Sequence, residues 1–143
     1  TNNNSLPHKN ATAMIRSEGL DQPYRTSFTN GSFEAVADVP IEKGGAGEGF
    51  GPHDLIEAAL ATCIAMTVRM AAAKHGFPLQ RVRCEVRIDR SQPEHVTLNY
   101  DLTLGGPLTA EQQAKLREAA SRCPVARTLT GSIRLHANSE AKP

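Results

Sequence analysis

Three cysteines, Cys63, Cys84 and Cys123, are the residues of this chain best suited to redox or nucleophilic chemistry. Cys63 lies in a long apolar run, with Ala59, Ala61 and Ile64 close by in sequence. A thiol in such surroundings is a small hydrophobe unless an Arg, His or Lys stands near enough to favour the thiolate, the form that attacks electrophiles. Cys123 directly precedes Pro124. A cysteine ahead of a proline that opens a helix feels the field of the helix N-terminus, which favours negative charge on sulfur. Cys84 belongs to the alternating run Val82-Arg83-Cys84-Glu85-Val86-Arg87-Ile88 and shares a face with Val82, Val86 and Ile88, which is a packing position. Two cysteines on the apolar faces of two helices can cycle between dithiol and disulfide when their Cα atoms come within about 7 Å. An odd cysteine count without C-x-x-C spacing argues against a disulfide framework or a zinc site. It fits a thiol protein of a reducing, cytoplasmic compartment.

A second feature that invites a chemical reading is the glycine-rich stretch Lys-Gly-Gly-Ala-Gly-Glu-Gly-Phe-Gly, from Lys43 to Gly51. Glycines let backbone amides cradle a phosphate at a helix start. The phosphate-loop pattern, however, needs Lys and then Ser or Thr after its last glycine, and here Pro52-His53 follows. The stretch therefore reads as a lead-in to a helix with proline in its first turn. Nucleic acid is disfavoured on charge: 16 Lys and Arg against 15 Asp and Glu leave a net charge of +1, without the basic excess that phosphate contacts require. With two Tyr, four Phe and no Trp, base-stacking platforms are also scarce.

The elements that must position these residues can be read from periodicity. Residues 1–10 are polar and read as a flexible arm, with no apolar run of a secretory signal, ahead of a single domain over 11–143. Strand-like alternation runs over Ala11–Ser17, Tyr24–Thr29 and Ser32–Val39, with Asn30-Gly31 as a two-residue hairpin turn. Phe33, Ala35 and Ala37 share one face of the third strand. From about Pro52 to His75 the pattern is helical, closed by Gly76 and Pro78. Glu57 and Arg69 within this segment argue for a buried helix rather than a membrane span. Because it is apolar nearly all round and rich in alanine, it should be enclosed on most sides. One domain of this size hardly encloses a helix of that length alone, which points to a dimer. Val82–Asp89 and Val96–Leu104 form a hairpin. Thr109 to Gln112 reads as a capping box opening a second helix, which places Leu116, Ala120 and Cys123 on one stripe. Cys123-Pro124 ends that helix and starts a new turn, and Thr130–His136 reads as a last strand. Helices between groups of antiparallel strands make the class α+β.

The segment Asp54-Leu55-Ile56-Glu57-Ala58-Ala59-Leu60-Ala61-Thr62-Cys63-Ile64-Ala65-Met66-Thr67 resembles the signature helix of the OsmC/Ohr family of thiol-dependent peroxidases. Cys123-Pro124-Val125-Ala126-Arg127-Thr128-Leu129 resembles the second cysteine motif of that family, and Gly76-Phe77-Pro78-Leu79 and Leu108-Thr109-Ala110-Glu111-Gln112 match in type and order. The likeness covers residues 11 to 136. It implies an OsmC-like fold of antiparallel sheets around a long central helix, in an intertwined homodimer. It implies reduction of organic hydroperoxides to alcohols without metal, haem or flavin. By the same resemblance Cys63 is the peroxidatic cysteine and Cys123 the resolving one, and a dithiol reductant such as a lipoyl protein restores the pair. The family also uses an arginine near the N-terminus, for which Arg25 and Arg16 are the candidates, and a glutamate ten residues before the first cysteine. Here that place is His53, beside Asp54, and Glu48 in the glycine-rich loop can stand in for the missing carboxylate.

An alternative function follows from that departure. A chain that keeps the fold but not the activation of Cys63 becomes a binding module for an apolar ligand, or a thiol carrier, at an alanine-lined dimer interface. Retention of both cysteines favours the enzyme, and loss of the glutamate favours the module.

Overall fold

In a computed structural model, which describes residues 14–138, the chain falls into two compact units, one ending at Ile56 and the other beginning at Glu57. The expected arm at residues 1–10 lies outside the described residues. The first unit is built on a meander of three short strands, β1 (Arg16–Gly19), β2 (Thr26–Thr29) and β3 (Glu34–Ala37), paired antiparallel in the order β1-β2-β3. The turn between β2 and β3 is wider than the two residues expected. Asn30 accepts the Ser32 and Phe33 amides through its Oδ1, both at 2.9 Å, while Gly31 takes a left-handed φ of 96°. An asparagine side chain that mimics a backbone turn in this way competes with the tight hairpin. Phe33 is consequently drawn out of the strand and left exposed, so the expected apolar face of β3 loses its largest member.

A helix α1 (Pro52–His75) has the bounds its sequence predicts. It ends where Gly76 adopts a φ of 67° and the Phe77 amide turns back to the Ala72 carbonyl at 2.9 Å. In the second unit, Leu60, Ile64, Val68 and Ala72 form one stripe at four-residue spacing, packed with Leu102, Leu116, Ala120 and Cys123. Two long antiparallel strands, β4 (Arg81–Gln92) and β5 (His95–Gly105), form the sheet, with Cys84 opposite Leu102. The expected capping box is present. Thr109 Oγ1 accepts the Gln112 amide at 3.1 Å and Gln112 Oε1 accepts the Thr109 amide at 3.0 Å, opening α2 (Ala110–Ser121). A short α3 (Pro124–Thr130) follows at once.

One expectation fails, and another is met by the single chain only in part. By length and composition α1 could cross a membrane, but within the chain only its one stripe is covered. Met66 and Met70, on the opposite side of the helix, are 58% and 69% exposed, so the described residues cover only part of it, as expected of a helix that one domain of this size hardly encloses alone. The last strand is also missing. Thr130 closes α3, and residues 131–138 run without strand pairing, leaving Ile133 and Leu135 exposed. Alternation gives a strand its faces, but only a partner edge gives it its hydrogen bonds.

Candidate functional site

The candidate residues fall into two groups of side chains, one in each unit. In the second unit, the α1 stripe sets the position of Cys63: one residue before the wholly buried Ile64, it is half-buried at the flank of the core. Cys123 is wholly buried. It holds the N-cap position of α3, where its Sγ accepts the Ala126 amide at 3.4 Å and Pro124 occupies the first turn. Proline there costs no backbone bond, since the first amides of a helix have no intrahelical partner. Cys63 packs against the core cluster that contains Cys123, so the two thiols expected to act together lie against the same core.

The charge balance at Cys123 differs from the simple helix-start expectation. Burial pushes its thiol up, and the neighbouring Cys63 pushes the same way. The Ala126 and Val125 amides pull down, as a helix N-terminus should, but the sum is a raised thiol. Cys84 is half-buried on the inward face of β4 and is also raised, by burial first and then by the negative charge of Cys123, Asp101 and Glu85. All three cysteines are free thiols. Among the described residues no group of three His, Cys, Asp or Glu side chains could hold a metal ion. In the same unit, an apolar cavity of about 250 Å³ is lined by Leu60, Leu98, Tyr100, Ala126 and Leu129 among others.

In the first unit, Arg25 stands at the entrance to β2, just after Tyr24, whose φ of 69° is rare for a bulky residue and turns the chain sharply there. Its Nη1 meets Glu48 Oε2 at 2.9 Å. Its Nε is buried and has no hydrogen-bond acceptor among the described residues, an uncommon state for a buried donor. Arg25 and Glu48, both singled out from sequence, are thus brought together. Arg16 is exposed at the start of β1, opposite Thr29. Asp54 is engaged with its own helix start, accepting the Gly51 amide at 2.8 Å, and His53 is exposed.

Sequence reasoning missed Asp38. It is 3% exposed, and its carboxylate accepts three backbone amides, those of Val39, Ala46 and Glu48. Burial pushes its carboxyl up, but the three amides and the charge of Arg25 outweigh this and hold it below the ordinary value. The available signal was a single acid between the apolar end of β3 and Pro40, ahead of a loop rich in glycine.

Antiparallel sheets, one long helix and three free cysteines make this a small α+β chain with two of its cysteines at one core. The OsmC-like protein family matches residues 45–138, well over half the chain, and the chain belongs to that family. No curated protein matches it in sequence. Its fold is similar to that of an OsmC-like protein from Mycoplasma pneumoniae, at 20% identity and a TM-score of 0.70 over 83% of this chain and 87% of that one. A proposed osmotic stress induced and detoxification response protein from Psychrobacter arcticus 273-4 gives 23% identity and a TM-score of 0.70, covering 85% and 91%. An organic hydroperoxide resistance protein OsmC from Legionella pneumophila gives 22% identity and a TM-score of 0.61, covering 84% and 90%. At these identities the likeness establishes the fold.

Proposed function

We propose that this protein reduces organic hydroperoxides to alcohols with Cys63 as the peroxidatic and Cys123 as the resolving cysteine. The observation that carries this reading is that Cys63 packs against the apolar core that encloses Cys123, in a chain of the OsmC-like family. The Cys63 thiolate attacks the distal peroxide oxygen, the O–O bond breaks, and the alkoxide leaves as the alcohol after taking a proton. Cys63 is then a sulfenic acid. The Cys123 thiolate attacks that sulfur and expels hydroxide as water, leaving a disulfide. A dithiol, such as a dihydrolipoyl group, returns both cysteines to thiols and is itself oxidised to a disulfide.

The balance at Cys123 suits this order. Part of what raises its thiol is the negative charge of Cys63, and that charge disappears when Cys63 becomes a neutral sulfenic acid. Cys123 therefore deprotonates more readily at the step that needs its thiolate. The cation assigned to the Cys63 thiolate is Arg25, held by Glu48, and its unpaired Nε–H is the donor available to an anion. The apolar cavity lined by Leu60, Leu98 and Ala126 in the same unit suits the alkyl part of the peroxide.

The working form is a homodimer. The exposed apolar side of α1, with Ile56, Met66 and Met70, and the unpaired segment bearing Ile133 and Leu135 are surfaces that a second copy would cover. Free thiols throughout suit a reducing compartment such as the cytoplasm. The test is a thiol count before and after one equivalent of an organic hydroperoxide, with alcohol measured in parallel. Loss of two thiols per chain with one alcohol formed is expected, and no loss overturns the reading in favour of an apolar-ligand binding module.

A further inference from the structure

Asp38 is a buried carboxylate that neither the thiol pair nor the arginine uses directly. Its two oxygens divide the work: Oδ1 accepts the Val39 amide at 2.8 Å, at the end of β3, and Oδ2 accepts the Ala46 and Glu48 amides at 3.2 Å each, across the glycine-rich loop. The loop is pressed onto the same edge by backbone bonds, from Gly47 to the Val39 carbonyl at 3.1 Å and between Asp38 and Phe50 at 3.0 Å. Glycine is needed for this approach. A Cβ on Gly45 would collide with the Val39 carbonyl oxygen, and one on Gly49 would stand 2.6 Å from that of Val36. The residue whose amide Asp38 takes, Glu48, is the residue whose carboxylate reaches Arg25 at 2.9 Å.

We propose that Asp38 is a positioning residue: its carboxylate fixes the backbone of the loop at Ala46 and Glu48, so that the Glu48 side chain holds the Arg25 guanidinium in one orientation. This rests on the reading that Arg25 serves the peroxidatic thiolate. A glutamate on a free glycine-rich loop would sample many positions, and an exposed ion pair alone supplies little force to select one. Fastening the backbone at the same residue removes that freedom, and orientation at about the ångström scale is worth up to roughly 100-fold in rate.

The test uses Asp38→Asn in the full chain. Asparagine keeps the shape but offers one acceptor oxygen, and its NH2 faces amide donors. With Asp38→Asn, proton exchange at the Arg25 Nε–H and at the Ala46 and Glu48 amides should quicken, read by NMR, while amides of the β4–β5 sheet keep their protection. The rate of organic hydroperoxide reduction should fall about as far as in Glu48→Gln. The double variant should fall less than about twofold below either single one, since residues acting through one another are not additive. An unchanged Arg25 Nε–H exchange, or losses that multiply in the double variant, overturns the proposal. If Asp38→Asn does not fold, Gly45→Ala disturbs the same loop contact from the other side and is read by the same criteria. If the wild type reduces no hydroperoxide, the proposed function fails, whereas the exchange comparison still decides whether Asp38 orders Arg25.

Discussion

Arg25 and Glu48 meet at 2.9 Å with side chains that are 31% and 59% exposed, whereas Cys123 lies wholly enclosed among apolar side chains in the other unit. The first pair depends on directional bonds: one ion pair, three amides on Asp38, and glycines that let the loop approach. The thiols depend on burial. Cys123 is held by the packing of Leu116, Ala120 and the α1 stripe, with the Ala126 amide aimed at its sulfur from 3.4 Å. The contrast teaches where each group can fail. An exposed ion pair contributes only about 0–1 kcal/mol to stability, so the worth of Glu48 must be sought in orientation. Buried side chains of the second unit contribute stability directly, and a change there reaches the sulfurs through packing.

The strongest way to break the comparison is at the sulfurs. Cys63→Ser is expected to abolish hydroperoxide reduction altogether, measured by peroxide consumption, because a serine hydroxyl is not ionised where a thiol can be. Turnover retained in that variant would move the reactive centre elsewhere. Cys123→Ser should still consume one equivalent and then stall with Cys63 as a sulfenic acid open to over-oxidation, a gain of mass that intact-protein mass spectrometry reads.

Next in size is the polar side of the contrast. Glu48→Gln should slow hydroperoxide reduction by about 10- to 100-fold while changing unfolding stability by less than about 1 kcal/mol. Arg25→Met should slow it at least as much, and Arg16→Met, at an exposed position, should leave it near wild type. A large effect of Arg16→Met alone would exchange the two arginines. On the packing side the order reverses: Leu116→Ala, at a wholly buried position, should cost about 2–5 kcal/mol in denaturant unfolding.

The smallest expected effects concern the thiols that burial has raised. A group whose folded value is raised contributes stability that is present in full below its unfolded value and is lost as pH climbs through the folded one. For Cys123 that loss begins above the ordinary thiol value of 9.0, so stability should decline in alkali, and the decline should be shallower in Cys123→Ser. Cys84→Ser should turn over hydroperoxide close to wild type. Lost turnover in that variant, with turnover kept in Cys123→Ser, would reverse the cysteine roles. The dimer is checked by light scattering, where a particle of 15.4 kDa at micromolar concentration would contradict it.

Sequence alone determined what is local. The bounds of α1, the capping box at Thr109, Cys123 at the start of α3 and the inward face of Cys84 all follow from spacing and from residue types acting within a few positions of themselves. Tertiary structure decided what depends on partners distant in the chain. The same alternation that makes Ser32–Val39 a strand in part leaves Thr130–His136 without one, because backbone bonding needs a neighbouring edge that no local pattern specifies. The apolar girth of α1 was legible, and so was the shortfall of one domain to enclose it, but not that the side buried is the stripe from Leu60 to Ala72. Arg25 and Glu48 were each nameable as candidates, yet their meeting across 23 positions rests on a loop folded back against β3. Asp38 was invisible for the same reason. Its three amide donors include two that lie eight and ten residues ahead, and only the folded loop turns them toward one carboxylate.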